Sequence, residues 1–177
     1  MWRRRAVFSH AEAARGGAAS TIRRDHTRKV QVSSVQAAHA AGAEGVAVHV
    51  NLTSPTESEQ LVTLGRVAEE AHDLSLPVLA IAYPRTAFAG ADENYRGLRE
   101  TNIEAYVALV RHCVRVAVEL GADVVKTVFT GSEETFATVV ESAIGVTVHA
   151  AGGASQTETL ALFQALQPIG AGAAGVA

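Results

Sequence analysis

Apolar residues recur along this chain with two periods. Short continuous apolar runs alternate with longer stretches in which every third or fourth residue is apolar. The short runs are Gly45 to Val50, Val78 to Tyr83, Val124 to Phe129, Val146 to Ala151, and the last residues up to Ala177. They predict about five strands, apolar on both faces, as in a parallel sheet covered by helices. The longer stretches predict helices. Leu61, Leu64, Val67, Ala68 and Ala71 form one stripe, after a start near Pro55. Ile103, Tyr106, Val107, Val110, Val114 and Val118 form a second. A third helix starts at Ser132, with Glu133 and Glu134 in its first turn and Phe136, Val139 and Val140 facing in. Ser155 and Glu158 have the capping-box spacing and open a fourth, carrying Leu160, Leu162, Phe163 and Leu166. Thr86 to Glu100 is polar without a period and reads as a long loop.

A short repeat punctuates the pattern. Ala41-Gly42-Ala43, Leu120-Gly121-Ala122 and Ala171-Gly172-Ala173 each end a helical stretch just before an apolar run. Glycine past a helix end accepts the left-handed backbone that closes it. The order is therefore repeated β-then-α in one parallel sense. Two folds have that order, an open doubly wound sheet and a (β/α)8 barrel, and a barrel needs roughly 200–250 residues.

Composition changes this picture at one end. The chain has 177 residues and 48% hydrophobic content, enough for a core. Residues 1–29 hold eight of the fifteen Lys and Arg but two of the eighteen Asp and Glu. This segment is read as a basic, poorly ordered tail, and residues 30–177 as the folded domain. Its Arg-rich start also has the look of a presequence or a nucleic-acid-binding arm. No apolar run reaches the roughly 20 residues of a membrane span. The single Cys113 excludes an internal disulfide and reads as a small buried apolar residue in a reducing, cytoplasmic setting. No HxH or HExxH pattern occurs, so neither a metal nor another cofactor is expected.

The candidate chemistry lies at the C-terminal ends of the strands, where parallel α/β folds place their sites. Only two lysines occur, Lys29 in the basic segment and Lys126 inside an apolar run. Lys126 has two readings. Its head reaches solvent from a strand end, or burial strips its proton and makes it a nucleophile toward carbonyl carbon. Thr127 follows it. Tyr83-Pro84-Arg85 ends another strand, proline holding Tyr83 extended. Tyr83 beside a cation suits acid/base work, and Arg85 offers a fork to phosphate or carboxylate. His49 and Asn51 share strand parity and can orient a substrate hydroxyl, with His149 a further polar residue at a strand end. Taken singly, each histidine reads more simply as a satisfied core residue. Gly152-Gly153 lies between a strand and a helix start, where free N–H groups favour an anion.

Five segments together carry a resemblance. They are Val48-His49-Val50-Asn51, Leu64-Gly65-Arg66-Val67-Ala68-Glu69-Glu70, Tyr83-Pro84-Arg85, Glu119 through Thr127, and Ala151-Gly152-Gly153. In this order and spacing the chain resembles the class I aldolases of the deoxyribose-phosphate aldolase/LacD superfamily, in its branch of heptulosonate synthases and archaeal-type fructose-bisphosphate aldolases. The resemblance implies a TIM (β/α)8 barrel, here an incomplete one of about five parallel strands with helices outside. It implies a Schiff base on Lys126, Tyr83 as acid/base, and the Gly152-Gly153 turn as the phosphate site. It further implies a phosphorylated ketose or triose substrate, an aldehyde such as aspartate semialdehyde, and no metal. The sequence departs from the family pattern in places. An Asp-His-Gly motif is absent, Thr86 replaces a glycine, Ala154-Ser155 replaces Pro-Lys, and the chain stops before a Gly-Arg-Asn phosphate contact. It is accordingly expected to be truncated at both ends and to assemble as a homo-oligomer. The alternatives are a catalytically inactive remnant and a nucleic-acid-binding protein using the basic arm.

Overall fold

The helix-closing glycines act as the repeat predicts. Helix α1 (Val35–Ala40) and helix α4 (Ile103–Glu119) end in the same way, with Gly42 at φ +89° and Gly121 at φ +95°. In each, the glycine N–H and the next N–H bond back to carbonyls of the last turn: Gly42 to His39 and Ala43 to Ala38, then Gly121 to Val118 and Ala122 to Ala117. This is the Schellman closure. A Cβ on Gly121 would also meet Ala68 Cβ at 3.0 Å, so a side chain there would be both strained in its backbone and crowded against α2. The third copy of the repeat closes differently. Gly170, at φ +72°, takes the left-handed position, and Gly172 is already in the strand that follows.

The computed structural model describes residues 8–10, 27–87, 92–151, 162 and 164–174. Strands β1 (Phe8–His10), β2 (Gly45–Leu52), β3 (Val78–Pro84), β4 (Val124–Thr127), β5 (Thr147–Ala151) and β6 (Gly172–Ala174) form one sheet, all neighbours parallel. Strand order follows chain order, β1-β2-β3-β4-β5-β6. A doubly wound sheet reverses its order at a switch point. This one never does, so right-handed crossovers put every helix on the same side. That geometry is an arc of a barrel. Six strands form where about five were expected. The extra one, β1, falls inside the segment read as a tail and pairs with Gly45 to Ala47.

The α-helices whose bounds fall within the described residues are α1, α2 (Glu57–Asp73), α3 (Arg96–Thr101), α4 and α5 (Glu133–Ser142). Helix α2 starts two residues beyond Pro55. Ser132 caps α5, its side chain accepting from the Thr135 N–H, as expected. Helix α3 corrects the reading of Thr86 to Glu100 as loop throughout. The helix expected from Ser155 lies mostly outside the described residues. No described helix is long and apolar enough to cross a membrane.

The core lies between the helices and one face of the sheet. Val46, Val48, Val50 and Leu52 of β2, Ala80 and Ala82 of β3, and Val125 of β4 point into it. Leu64, Val67 and Ala71 of α2 meet them, with Val110, Cys113 and Val114 of α4 and Phe136 and Val139 of α5. Cys113 is fully buried, as expected, and burial holds its thiol well above its ordinary pKa. The opposite face is less covered. In β3 burial alternates residue by residue, and Leu79, Ile81 and Tyr83 are the half-buried set.

Candidate active site

Register places the candidate residues in rows across that second face. His49 of β2 pairs with Ile81 of β3, Ile81 with Lys126 of β4, and Lys126 with His149 of β5. Paired residues in a parallel sheet share a face, so His49, Lys126 and His149 belong to one row. Tyr83 lies two residues beyond Ile81, on the same face and nearer the C-terminal ends. It stands edge-on to His49, ring centroids 5.2 Å apart at 83°. The Arg85 guanidinium carbon is 5.9 Å from the centre of the Tyr83 ring.

Lys126 keeps 9% of its surface exposed, between Ile81 of β3 and His149 of β5. Desolvation disfavours the ammonium and lowers its pKa from the ordinary lysine range. That is the direction an amine nucleophile needs. The His149 pKa is lowered by burial first and by the charge of Lys126 second, so the neutral imidazole is favoured. For Tyr83, Arg85 pulls in the direction expected from the sequence, toward phenolate. Burial outweighs it, and the net shift is upward. Tyr83 therefore rests as a phenol, a proton donor.

Two other candidates have hydrogen-bonding groups engaged elsewhere, although Asn51 Oδ1 is buried without a hydrogen-bond partner among the described residues. Thr127 points to the opposite face from Lys126, is fully buried, and donates its hydroxyl to the Ala82 carbonyl at 2.7 Å. It was expected beside the substrate, but strand alternation turns it toward the helices. Asn51 is buried. Its Nδ2 donates to the Thr27 carbonyl at 2.7 Å, and its backbone N–H donates to Gln60 Oε1 at 2.8 Å. Gln60 Nε2 bonds Ser54 and Thr56 hydroxyls, which closes a network that ties the segment before α1 to the end of β2. Gly152 and Gly153 lie outside the described residues.

Above the row, a cleft of about 390 Å³ opens at the C-terminal rim. Tyr83 and Arg85 from the end of β3, Val128 and Phe129 beyond β4, and Ala151 of β5 form part of its wall. Arg96 and Arg99 of α3 and Tyr106 of α4 complete it. Sequence reasoning missed Arg96 and Arg99 because α3 was read as loop, and it read Tyr106 only as part of the apolar stripe of α4. The signal was present: Arg96 and Arg99 are three apart, the spacing that puts two side chains on one face of a helix. No group of three or more metal-ligating side chains occurs among the described residues.

The family profile described as DeoC/LacD family aldolase matches residues 13–177. The 2-amino-3,7-dideoxy-D-threo-hept-6-ulosonate synthase of Halobacterium salinarum is 38% identical over 160 residues, covering 90% of this chain and 55% of that protein. The 2-amino-4,5-dihydroxy-6-oxo-7-(phosphonooxy)heptanoate synthase of Streptomyces griseus is 36% identical over 160 residues, covering 90% and 54%. Among solved structures, an archaeal fructose-1,6-bisphosphate aldolase with its catalytic Lys covalently bound to the carbinolamine intermediate matches at a TM-score of 0.69 and 26% identity. That match covers 84% of this chain and 56% of the other. The chain thus spans about half the length of the curated relatives it matches. Its sheet is part of the TIM-barrel fold of these aldolases, and the chain belongs to the DeoC/LacD family of aldolases.

Proposed function

We propose that this chain carries the Schiff-base chemistry of a class I aldolase, with Lys126 as the nucleophile. The observation that carries the reading is the placement of Lys126. It is the one lysine of residues 30–177, it is itself buried on β4 in the row with His49 and His149, and its ammonium is disfavoured by burial. A neutral Nζ attacks the ketone carbon of a phosphorylated substrate and forms a C–N bond while the carbonyl oxygen takes up a proton. Loss of water gives an iminium, which draws electrons from the adjacent carbon. A C–C bond there breaks to an enamine and an aldehyde, or forms by the reverse step.

Tyr83 suits the proton transfers. It stands on the same face, nearer the cleft, with its proton retained by burial. His49, edge-on to Tyr83, orients it. The substrate class is a phosphorylated ketose or triose, joined to an aldehyde such as aspartate semialdehyde. The relatives' names support this class: the Streptomyces griseus protein makes a keto compound with a phosphonooxy group at position 7. In this reading the Gly152-Gly153 turn receives the phosphate next to the reacting carbonyl, and no metal takes part.

The test is aldol cleavage of fructose 1,6-bisphosphate and aldol condensation of dihydroxyacetone phosphate with aspartate semialdehyde. Turnover should persist in a metal chelator and disappear in Lys126→Ala. Turnover that survives Lys126→Ala, or that the chelator abolishes, would refute the assignment.

A further inference from the structure

Two residues hold a backbone conformation that their side chains disfavour, and they are bonded to each other. Thr53, directly after β2, has φ +68°, and Tyr95, directly before α3, has φ +55°. Glycine takes the left-handed region freely. A β-branched or aromatic residue stays there only where its surroundings enforce it. The Tyr95 hydroxyl donates to Thr53 Oγ1 at 2.7 Å.

Thr53 is a junction. Its N–H donates to the Glu57 carboxylate of α2. Its hydroxyl donates to the Leu52 carbonyl and lies 3.4 Å from the Arg85 carbonyl. The Leu52 carbonyl also accepts the Arg85 N–H at 2.9 Å. One threonine thus joins the end of β2, the start of α2 and the residues after β3. Tyr95 adds a fourth segment. Its N–H donates to the Asp92 carbonyl at 3.0 Å, and the Glu93 carbonyl accepts the Thr86 N–H at 3.0 Å. Asn94 Oδ1 accepts from Arg85 Nε at 3.0 Å. Residues 92–95 therefore run back along the exit of β3, and the two hydroxyls fasten them to β2.

What these ties hold is the end of β3. Its register with β4 stops at Ile81 and Lys126, whereas its register with β2 continues through Tyr83 to Pro84. Pro84 has no N–H to give. Past Ile81 the strand is located chiefly from the β2 side, with the Thr127 hydroxyl on the Ala82 carbonyl as a tie from β4. Tyr83 sits in that overhang, opposite Asn51 and so two positions short of Thr53. A misplacement of about 1 Å at a reacting group can cost about a hundredfold in rate.

We propose that Tyr95 and Thr53 are positioning residues for Tyr83: their hydroxyl-to-hydroxyl bond clamps residues 92–95 to β2 and holds the end of β3 over the row that carries Lys126. Neither touches the reacting atoms. The inference rests on the reading of Tyr83 as the proton donor and of Lys126 as the Schiff-base residue.

The experiment follows the full chain with dihydroxyacetone phosphate in deuterium oxide. The iminium on Lys126 loses a carbon-bound proton, its electrons passing to nitrogen, and the enamine carbon takes back a deuteron through Tyr83. Deuterium entry reads that transfer, and borohydride trapping reads Schiff-base formation alone. Tyr95→Phe and Thr53→Ala should each slow deuterium entry roughly tenfold or more and leave the trapped amount unchanged. Thr53→Ser keeps the hydroxyl and should recover most of what Thr53→Ala loses. Because Tyr95 acts through Tyr83, the double variant Tyr95→Phe/Tyr83→Phe should be no slower than Tyr83→Phe. Deuterium entry at the wild-type rate in Tyr95→Phe, or losses that multiply in the double variant, would overturn the clamp alone. Trapping lost in step with deuterium entry would show a general disruption of the face and overturn it too. Deuterium entry untouched by Tyr83→Phe would sink the proton-donor reading, and wild-type protein that traps nothing would sink the Schiff-base reading, each taking the clamp with it.

Discussion

Lys126 and Thr127 are adjacent in sequence and serve opposite sides of one sheet. Thr127 looks toward the helices, has its hydroxyl bonded across to the Ala82 carbonyl, and adds to a packed layer. Lys126 looks the other way, into a row with His49 and His149, and sits there with its charge disfavoured. The difference teaches where each kind of residue can be afforded. The helix-facing layer tolerates only groups whose polar atoms are satisfied inside the sheet. The other face holds groups whose ordinary protonation is displaced, which is the condition for chemistry.

Substitutions can break this contrast. The largest effect is expected from Lys126→Met. Turnover should fall by about a thousandfold or more, the scale on which loss of a covalent nucleophile registers, while stability rises because a desolvated amine gives way to an apolar chain of similar volume. Kinetics and chemical denaturation of one sample check both. Tyr83→Phe should cost roughly 10²–10⁴ in kcat, the usual worth of a placed acid or base, with little change in denaturation midpoint. Phe136→Ala, on the packed side, should do the reverse. It should destabilise by about 3–5 kcal/mol, because the ring is fully buried between α5 and the sheet, and leave kcat of the remaining folded protein intact. Thr127→Val should cost about 1 kcal/mol for the lost bond to Ala82 and spare turnover. A larger loss of turnover than of stability in that variant would move Thr127 into the site.

The smallest effect sharpens the contrast through pH. The folded pKa of Lys126 lies below its unfolded value of about 10.4. Between the two values the unfolded chain binds more protons, so stability rises with pH across that window. Below it the folded lysine is charged and the full desolvation cost applies. Wild-type stability minus that of Lys126→Met should therefore climb as pH rises toward about 10.4. A difference that stays flat would place Lys126 in water.

The fold was legible where one residue type had one physical use. Gly42 and Gly121 marked helix ends because no other residue fits their backbone so cheaply, and Ser132 marked a helix start. Proximity of apolar runs to these signals then placed β2 to β5 within a few residues. Strand β1 was not legible, since Phe8-Ser9-His10 is held by backbone pairing to β2 and has too few residues for a pattern. Helix α3 was missed because Arg96 to Thr101 is polar on most sides and includes Gly97, so no stripe appears. The site divided in the same way. Lys126 stood out as a charge in an apolar strand, and Tyr83 as a residue before proline. Thr127 faces the other side of the sheet from Lys126, an alternation along the strand that adjacency in sequence does not convey. Arg96 and Arg99 needed the helix before their shared face could be seen.

The account turns on whether Lys126 Nζ bonds to a carbonyl carbon. The most direct measurement is borohydride reduction in the presence of dihydroxyacetone phosphate or fructose 1,6-bisphosphate, followed by peptide mass mapping. A reduced adduct on the peptide containing Lys126, absent from Lys126→Ala, is the predicted result. Folded protein that yields no adduct with either compound, or yields it on Lys29, would contradict the account.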